Sequence, residues 1–179
     1  MPSSIPIITT ERLLLRPFML ADAPTVQELA GAPEVAATTL NMPHPYPEGA
    51  AETWIGTHEQ NAADGRGYTW AIVRASDGVL MGALSMMLTP AHGRAELGYW
   101  LGVPYWGQGY MTEAARSVVQ FGLESLGLHR VGAGCFPRNR ASSRVMEKAG
   151  MTYEGTLRGY VRKGEAFEDV AMYAILRGQ

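Results

Sequence analysis

The apolar and polar positions divide the chain into short runs separated by turns that carry glycine and proline. Arg12-Leu13-Leu14-Leu15-Arg16 is an apolar run flanked by charge and closed by Pro17, which predicts a first strand. Asp22 ahead of Ala23-Pro24 is a helix start with proline in its first turn, and Val26, Leu29 and Ala30 supply one helical face. Prolines 43, 45 and 47 remove the donors that a helix or central strand needs, so the segment from Asn41 to Pro47 is a loop. A helical pattern resumes from Glu48 to Asn61 and breaks at Asp64-Gly65-Arg66-Gly67.

Tyr68–Arg74 and Val79–Leu88, joined by Ser76-Asp77-Gly78, predict a hairpin, and Ala95–Leu101 predicts the next strand. Gly102 to Gly109 then leads into a long helical pattern from Tyr110 to Leu126, stopped at Gly127. Arg130 to Phe136 reads as a strand and Asn139 to Ala149 as a short helix stopped at Gly150. Two strands, over 152–161 and 166–176, close the chain. This order predicts a mixed α/β (α+β) fold, one sheet with helices on its faces.

Composition narrows the picture. A chain of 179 residues fits a single domain over 1–179 and buries about 70% of its unfolded surface. Fifteen Lys and Arg against seventeen Asp and Glu give a net charge of -2, without the basic surplus that holds nucleic acid by its phosphates. Cys135 is the single cysteine, so an internal disulfide and a multi-cysteine zinc site are both excluded. His58 and His129 have no metal-ligand spacing, and no metal is expected. No apolar run approaches the roughly 18 residues of a membrane helix, and Met1 to Thr10 has no targeting pattern. The expectation is a cytoplasmic protein with neither membrane nor nucleic-acid partner.

Gly107-Gln108-Gly109 joins a strand to a helix, where the first helical amides lack intrahelical partners and the helix dipole favours an anion. Two uses fit such a turn: holding a phosphate or pyrophosphate, or glycine geometry alone. A dinucleotide fingerprint needs a third glycine where Thr112 stands, and an acidic residue about 20 positions on, where Glu124 comes too early. No phosphate loop ending in Gly-Lys-Ser/Thr and no Gly-x-Ser-x-Gly elbow occurs. An acyl carrier with a pyrophosphate handle, coenzyme A, remains.

The chain resembles the GNAT superfamily of acetyl-CoA-dependent N-acetyltransferases, and within it the RimJ/RimL-type branch that acetylates ribosomal-protein N-termini. The resemblance rests on the order and spacing of five strings, four of them short. They are Thr10-Glu11-Arg12-Leu13, Pro43-His44-Pro45-Tyr46, Leu97-Gly98-Tyr99-Trp100-Leu101, and Trp106-Gly107-Gln108-Gly109-Tyr110-Met111-Thr112-Glu113-Ala114. A fifth runs from Asn139 to Met151. It implies a mixed, mostly antiparallel seven-stranded sheet flanked by helices and splayed between the fourth and fifth strands. The strand ending at Trp100, Leu101 and Val103 would pair with the pantetheine arm. Gly107, Gln108, Gly109, Tyr110, Met111 and Thr112 would form the pyrophosphate turn. Asn139 would contact the cofactor. Arg138, Arg140, Arg144 and Lys148 would supply a cation for the 3′-phosphate, Arg144 among the named cofactor contacts, or else form a solvated helix face. The general-acid tyrosine that many GNAT enzymes place seven residues after the asparagine is replaced by Met146.

Acyl transfer needs a neutral amine, an oxyanion donor and a proton for the leaving thiolate. An α-amine with a pKa near 7.7–8.0 is about a tenth or more neutral at pH 7, whereas a lysine near 10.4 is about a thousandfold harder to deprotonate. An N-terminal acceptor therefore needs only a modest base. The resemblance makes Glu96 that base and Ser142 the acid. The alternatives are a glutamate paired with Arg94 and a serine bonding the helix backbone. The oxyanion donor would be a strand N–H such as that of Leu101, and Cys135 reads as a small buried hydrophobe. His44, Tyr46 and Trp70 are expected on the substrate side, although aromatic positions also serve cores. Asp169 matches a family-like position with no derived role. The acceptor is a primary amine: a protein or peptide N-terminus, an antibiotic, a polyamine or an amino acid. A non-catalytic acyl-CoA sensor and a homodimer through the C-terminal hairpin are further readings.

Overall fold

The computed structural model describes residues 2–178. Eight strands form one sheet in the order β1-β2-β3-β4-β5-β6-β8-β7. They are β1 (Ile8–Thr9), β2 (Leu13–Pro17), β3 (Gly67–Arg74), β4 (Leu80–Thr89), β5 (Arg94–Leu101), β6 (Arg130–Cys135), β7 (Thr152–Lys163) and β8 (Ala166–Leu176). The helices are α1 (Ala23–Ala30), α2 (Pro33–Thr38), α3 (Ala50–Gly56), α4 (His58–Ala63), α5 (Tyr110–Gln120) and α6 (Arg140–Lys148). The two-residue β1 is the strand beyond the seven expected. The six-residue α2 is also additional, and the single helix expected over 48–61 divides into α3 and α4 at Thr57.

Antiparallel pairing runs from β1 to β5, and β5 then lies parallel to β6 because α5 carries the chain across the sheet between them. The parallel register covers only Arg94↔Arg130 to Leu97↔Ala133. Beyond Leu97, β5 continues through Gly98 to Leu101 on its partnership with β4, while Gly134 and Cys135 pair with β8. The sheet is therefore splayed between β5 and β6, the fourth and fifth of the expected strands.

Strand alternation separates two cores. Leu13, Leu15, Tyr68, Trp70, Ile72, Leu84 and Met86 pack with α5 and with Met146 of α6 on one face. Ala71, Val73, Leu80, Ala83 and Trp100 meet Val26, Ala30, Val35 and Ile55 of α1–α3 on the other. Trp70 belongs to the first core: it is fully buried, donates Nε1–H to the Pro6 carbonyl at 2.6 Å, and packs against Tyr68 and Phe121. It does not reach the substrate side, which corrects the expectation. Both faces of this central strand are covered, so an inward aromatic there is core.

Candidate active site

A cavity of about 970 Å³ passes through the splay. Its lining draws on both faces of β5: Glu96, Gly98 and Trp100 from one, Leu97, Tyr99 and Leu101 from the other. On the α5–α6 face it reaches Gly107, Gly109, Tyr110, Met111 and Thr112, then Asn139, Ser142, Arg144, Val145 and Lys148. On the α1–α3 face it is walled by the segment from Thr38 to Pro43, by Tyr46 and Trp54, and by Met87, Tyr160, Val161, Val170 and Met172.

The glycine turn is held open by backbone geometry and pinned from β2. Gly107 and Gly109 have φ of +73° and +80°, the left-handed region where a Cβ is strained, and a side chain at 107 would point into open space. Arg12 donates Nε–H to Glu113 at 2.7 Å and Nη1–H to the Gln108 carbonyl at 3.1 Å, and its guanidinium lies 4.7 Å from the centre of the Tyr110 ring. Thr10 Oγ1 and the Arg12 N–H also donate to Glu113. Burial alone would raise the Glu113 carboxyl, but these bonds hold it below its ordinary value. The α5 amides are thereby presented to the cavity with the positive end of the helix dipole behind them. Arg12, Thr10 and Glu113 carry no role in the sequence reading. The signals there were the strings Thr10 to Leu13 and Trp106 to Ala114, which hold them without pairing them.

The edge of β5 is equally specific. Gly102 donates to the Met81 carbonyl at 2.9 Å across the Gly82↔Leu101 pair, so ladder alternation turns the Leu101 and Tyr99 N–H groups toward the gap. The Leu101 carbonyl accepts Trp106 Nε1–H at 2.7 Å, tying the strand end to the turn. Val103 does not line the cavity and is partly exposed. Gln108 also stays outside, its side chain donating to the Pro104 carbonyl at 2.8 Å. Neither placement bears on the backbone contacts expected of these two residues: the turn offers its backbone inward and these side chains outward.

The α6 start lies opposite. Asn139 caps the helix, accepting the Ser142 N–H at 3.1 Å, and its amide donates toward the Thr38 carbonyl at 3.4 Å. Ser142 Oγ lies 2.8 Å from the hydroxyl of Tyr99. Burial raises the Tyr99 pKa, so this phenol stays protonated. The pair joins residues 43 positions apart, and sequence reasoning gave Tyr99 no role. Cys135 Sγ lies 3.4 Å from Ser143 Oγ, and burial pushes its thiol pKa up, the behaviour of a small buried hydrophobe. Arg144 and Lys148 line the cavity. Arg138 leaves the expected basic cluster: it pairs with Glu168 on β8 and lies 4.3 Å from the Phe136 ring centre.

Glu96 lines the opposite face and, among the described residues, has no ion-pair or hydrogen-bond partner; the pairing with Arg94 does not form. Tyr46 lines the same side, with burial raising its pKa. His44 sits in the same loop, exposed, and does not reach the cavity, which corrects its assignment. Asp169 accepts the Gly159 N–H at 2.7 Å, a structural role inside the hairpin. Lys163 of β7 donates to the Ala36 carbonyl at 2.6 Å and also to the Thr39 carbonyl, so the end of α2 is tied across the cavity to the β7–β8 hairpin. Among the described residues, no cluster of three or more His, Cys, Asp or Glu side chains is arranged to hold a metal, and no helix is long and apolar enough to cross a membrane.

The sequence profile of the acetyltransferase (GNAT) domain matches residues 12–152. The chain belongs to the GNAT acetyltransferase family. This GNAT protein is 32% identical to the uncharacterized N-acetyltransferase YoaA of Bacillus subtilis (strain 168), over 96% of its own length and 97% of that protein. It is 30% identical to the ribosomal-protein-serine acetyltransferase of Escherichia coli (strain K12), over 61% of this chain and 62% of that one. Its fold matches RimL, the ribosomal L7/L12 α-N-protein acetyltransferase solved in complex with coenzyme A. The TM-score is 0.87 and the identity 22%, over 96% of this chain and 98% of that structure.

Proposed function

We propose that this GNAT enzyme transfers the acetyl group of acetyl-CoA to a primary amine, the α-amine of a protein or peptide N-terminus, by direct attack with donor and acceptor bound together. One observation carries the reading: a single cavity crosses the sheet at the splay, with an unpaired carboxylate on one face and the Ser142–Tyr99 hydroxyl pair on the other. The kinship with a ribosomal-protein-serine acetyltransferase supports a protein N-terminus. So does the modest base that an α-amine requires. Such an enzyme works in the cytoplasm. Tyr153, Leu157 and Phe167, exposed on the β7–β8 hairpin, are the side chains a second copy would cover in a homodimer.

The residues fit coenzyme A chemically. The amides of Gly109, Tyr110, Met111 and Thr112 suit a pyrophosphate, Arg144 and Lys148 add positive charge beside it, and the free β5 edge offers the Tyr99 and Leu101 N–H groups to an amide-bearing arm. Bound there, acetyl-CoA supplies the thioester acetyl group and the sulfur that leaves. Glu96 takes the proton released by the amine nitrogen as the C–N bond forms. The Leu101 N–H faces the carbonyl oxygen where negative charge develops. Ser142 Oγ–H donates to the sulfur as the C–S bond breaks, and Tyr99 fixes the Ser142 hydroxyl in that direction. From the neutral amine one proton leaves nitrogen and one reaches sulfur; Glu96 then releases its proton and Ser142 regains one through solvent, and an acceptor that arrives as ammonium first gives one further proton to solvent.

Thermal unfolding with acetyl-CoA, using NAD as control, tests the donor. At a hundredfold excess over Kd the gain is about 2.7 kcal/mol, or roughly 5–10 °C for a chain of this size. CoA release with a short peptide then tests transfer. Stabilisation by acetyl-CoA alone, followed by peptide-dependent release, is the expected result. Stabilisation without release from any amine would contradict the enzyme reading.

A further inference from the structure

The acceptor half of the cavity has an unusual charge inventory. Across the whole lining Glu96 is the single acid, and the bases are Arg144 and Lys148, both on α6 beside the glycine turn. Of the nearby cations, two are committed elsewhere, while Arg94 stands two residues from Glu96 on the same face of β5, outside the lining. Arg138 pairs with Glu168, and Lys163 donates to the Ala36 and Thr39 carbonyls at the end of α2. The rest of the acceptor wall is uncharged and mainly apolar, with Met42, Tyr46, Trp54, Met87, Tyr160 and Met172 beside the polar Thr38, Thr39 and Asn41. Met87 stands half-exposed opposite Glu96, itself exposed, and lines this space. Gly98 leaves the floor open, since a Cβ there would first meet Met87 Cε at 3.7 Å.

Resting on the proposed acetyl transfer, we infer that the acceptor is a primary amine with a single positive charge on an apolar body. A polyamine or aminoglycoside brings two or more ammonium groups, and only one carboxylate faces them. A second buried ammonium has no partner and carries an uncompensated desolvation cost. A free amino acid brings a carboxylate, and among the described residues no cation lines the acceptor half to receive it. A large apolar group next to the reacting amine meets methionines, which adapt to varied shapes, and aromatic faces. Two sources supply this chemistry: a peptide whose first residue is large and apolar, or a free arylalkylamine.

The test compares initial-rate CoA release for five acceptors: a Phe-first tripeptide amide, an Asp-first tripeptide amide, phenethylamine, spermidine and free leucine. Fluorescence titrations of the same compounds against CoA-saturated protein, read on the cavity residues Trp54 and Trp100, give binding without turnover. Phenethylamine or the Phe-first peptide exceeding spermidine and leucine by tenfold or more, in kcat/KM and in binding, supports the inference. Their ranking against each other identifies the source. Spermidine, leucine or the Asp-first peptide matching them overturns the inference and leaves acetyl transfer standing. Absence of release with every acceptor removes the enzyme reading, and the binding order alone then decides the inference. Met87→Glu sharpens the result. A second carboxylate in the wall shifts the kcat/KM ratio of spermidine to phenethylamine upward tenfold or more, and an unchanged ratio places Met87 outside the acceptor space.

Discussion

The two halves of the cavity are built differently. The half proposed for the donor is built largely of backbone: two left-handed glycines, the first amides of α5 and the unpaired edge of β5 beyond Leu97, with Ser142, Arg144 and Lys148 of α6 beside them. The acceptor half is made of side chains from four separate segments: the Thr38–Pro43 loop with Tyr46, Trp54 of α3, Met87 of β4, and Val161, Val170 and Met172 of the β7–β8 hairpin. Backbone binding needs a particular chain path and few particular side chains, so it constrains sequence at glycines and turns. Side-chain binding can be rebuilt one residue at a time. The donor half is therefore generic and the acceptor half particular.

That contrast can be broken by substitutions that touch one half and spare the other. The largest effect belongs to Glu96→Gln. Loss of a positioned general base costs about 10²–10⁴-fold, and steady-state kinetics should put the loss in kcat while acetyl-CoA affinity holds. An unchanged rate would remove Glu96 from the chemistry.

Next is acid sensitivity confined to the acceptor wall. His58 is buried, neither ring nitrogen has a hydrogen-bond partner, and its ring meets Trp54 at 4.5 Å and Phe18 at 5.5 Å. Burial lowers its pKa from 6.5 to about 4. The unfolded chain therefore binds the extra proton first as pH falls, so stability is intact above about pH 6.5 and erodes between there and about pH 4. The loss amounts to about 3 kcal/mol by pH 4. Chemical denaturation across this window should show a slope that His58→Phe removes. With Trp54 in the proposed acceptor wall, acceptor binding should weaken before acetyl-CoA binding does. Equal loss of both would mean the two halves unfold together.

A smaller effect, on the donor side, follows from Gly109→Ala. A Cβ at φ +80° costs about 1–2 kcal/mol, so acetyl-CoA affinity by calorimetry should fall roughly tenfold with acceptor KM unchanged. The smallest is Tyr99→Phe, which keeps the packing and removes one hydrogen bond to Ser142, worth about 1 kcal/mol. It should lower kcat several-fold without moving either KM. Ser142→Ala combined with it should add little, because the two hydroxyls act as a unit.

How far the sequence revealed this molecule follows the same division. The strands, α5 and α6 were readable because period-2 runs, glycine stops and helix starts are local. The glycine turn was readable because its geometry demands glycine. Trp70 was misread because alternation places it on a strand but does not say that both faces of that strand are covered. His44, Val103 and Gln108 stand beside site residues in sequence, yet each turns outward. The Tyr99–Ser142 pair was invisible because the two residues are 43 positions apart and meet only when the splay forms. The short β1 and α2 fall below the length at which any period can be counted.

The most direct test of the central claim is a crystal structure of the protein with coenzyme A. The account predicts pyrophosphate on the amides of Gly109 to Thr112, the arm against the free edge of β5, and the sulfur within hydrogen-bond reach of Ser142 Oγ. The space beside Glu96 would stay open for the amine. Coenzyme A lying outside the splay, or its sulfur directed away from the Ser142–Tyr99 pair, would contradict it.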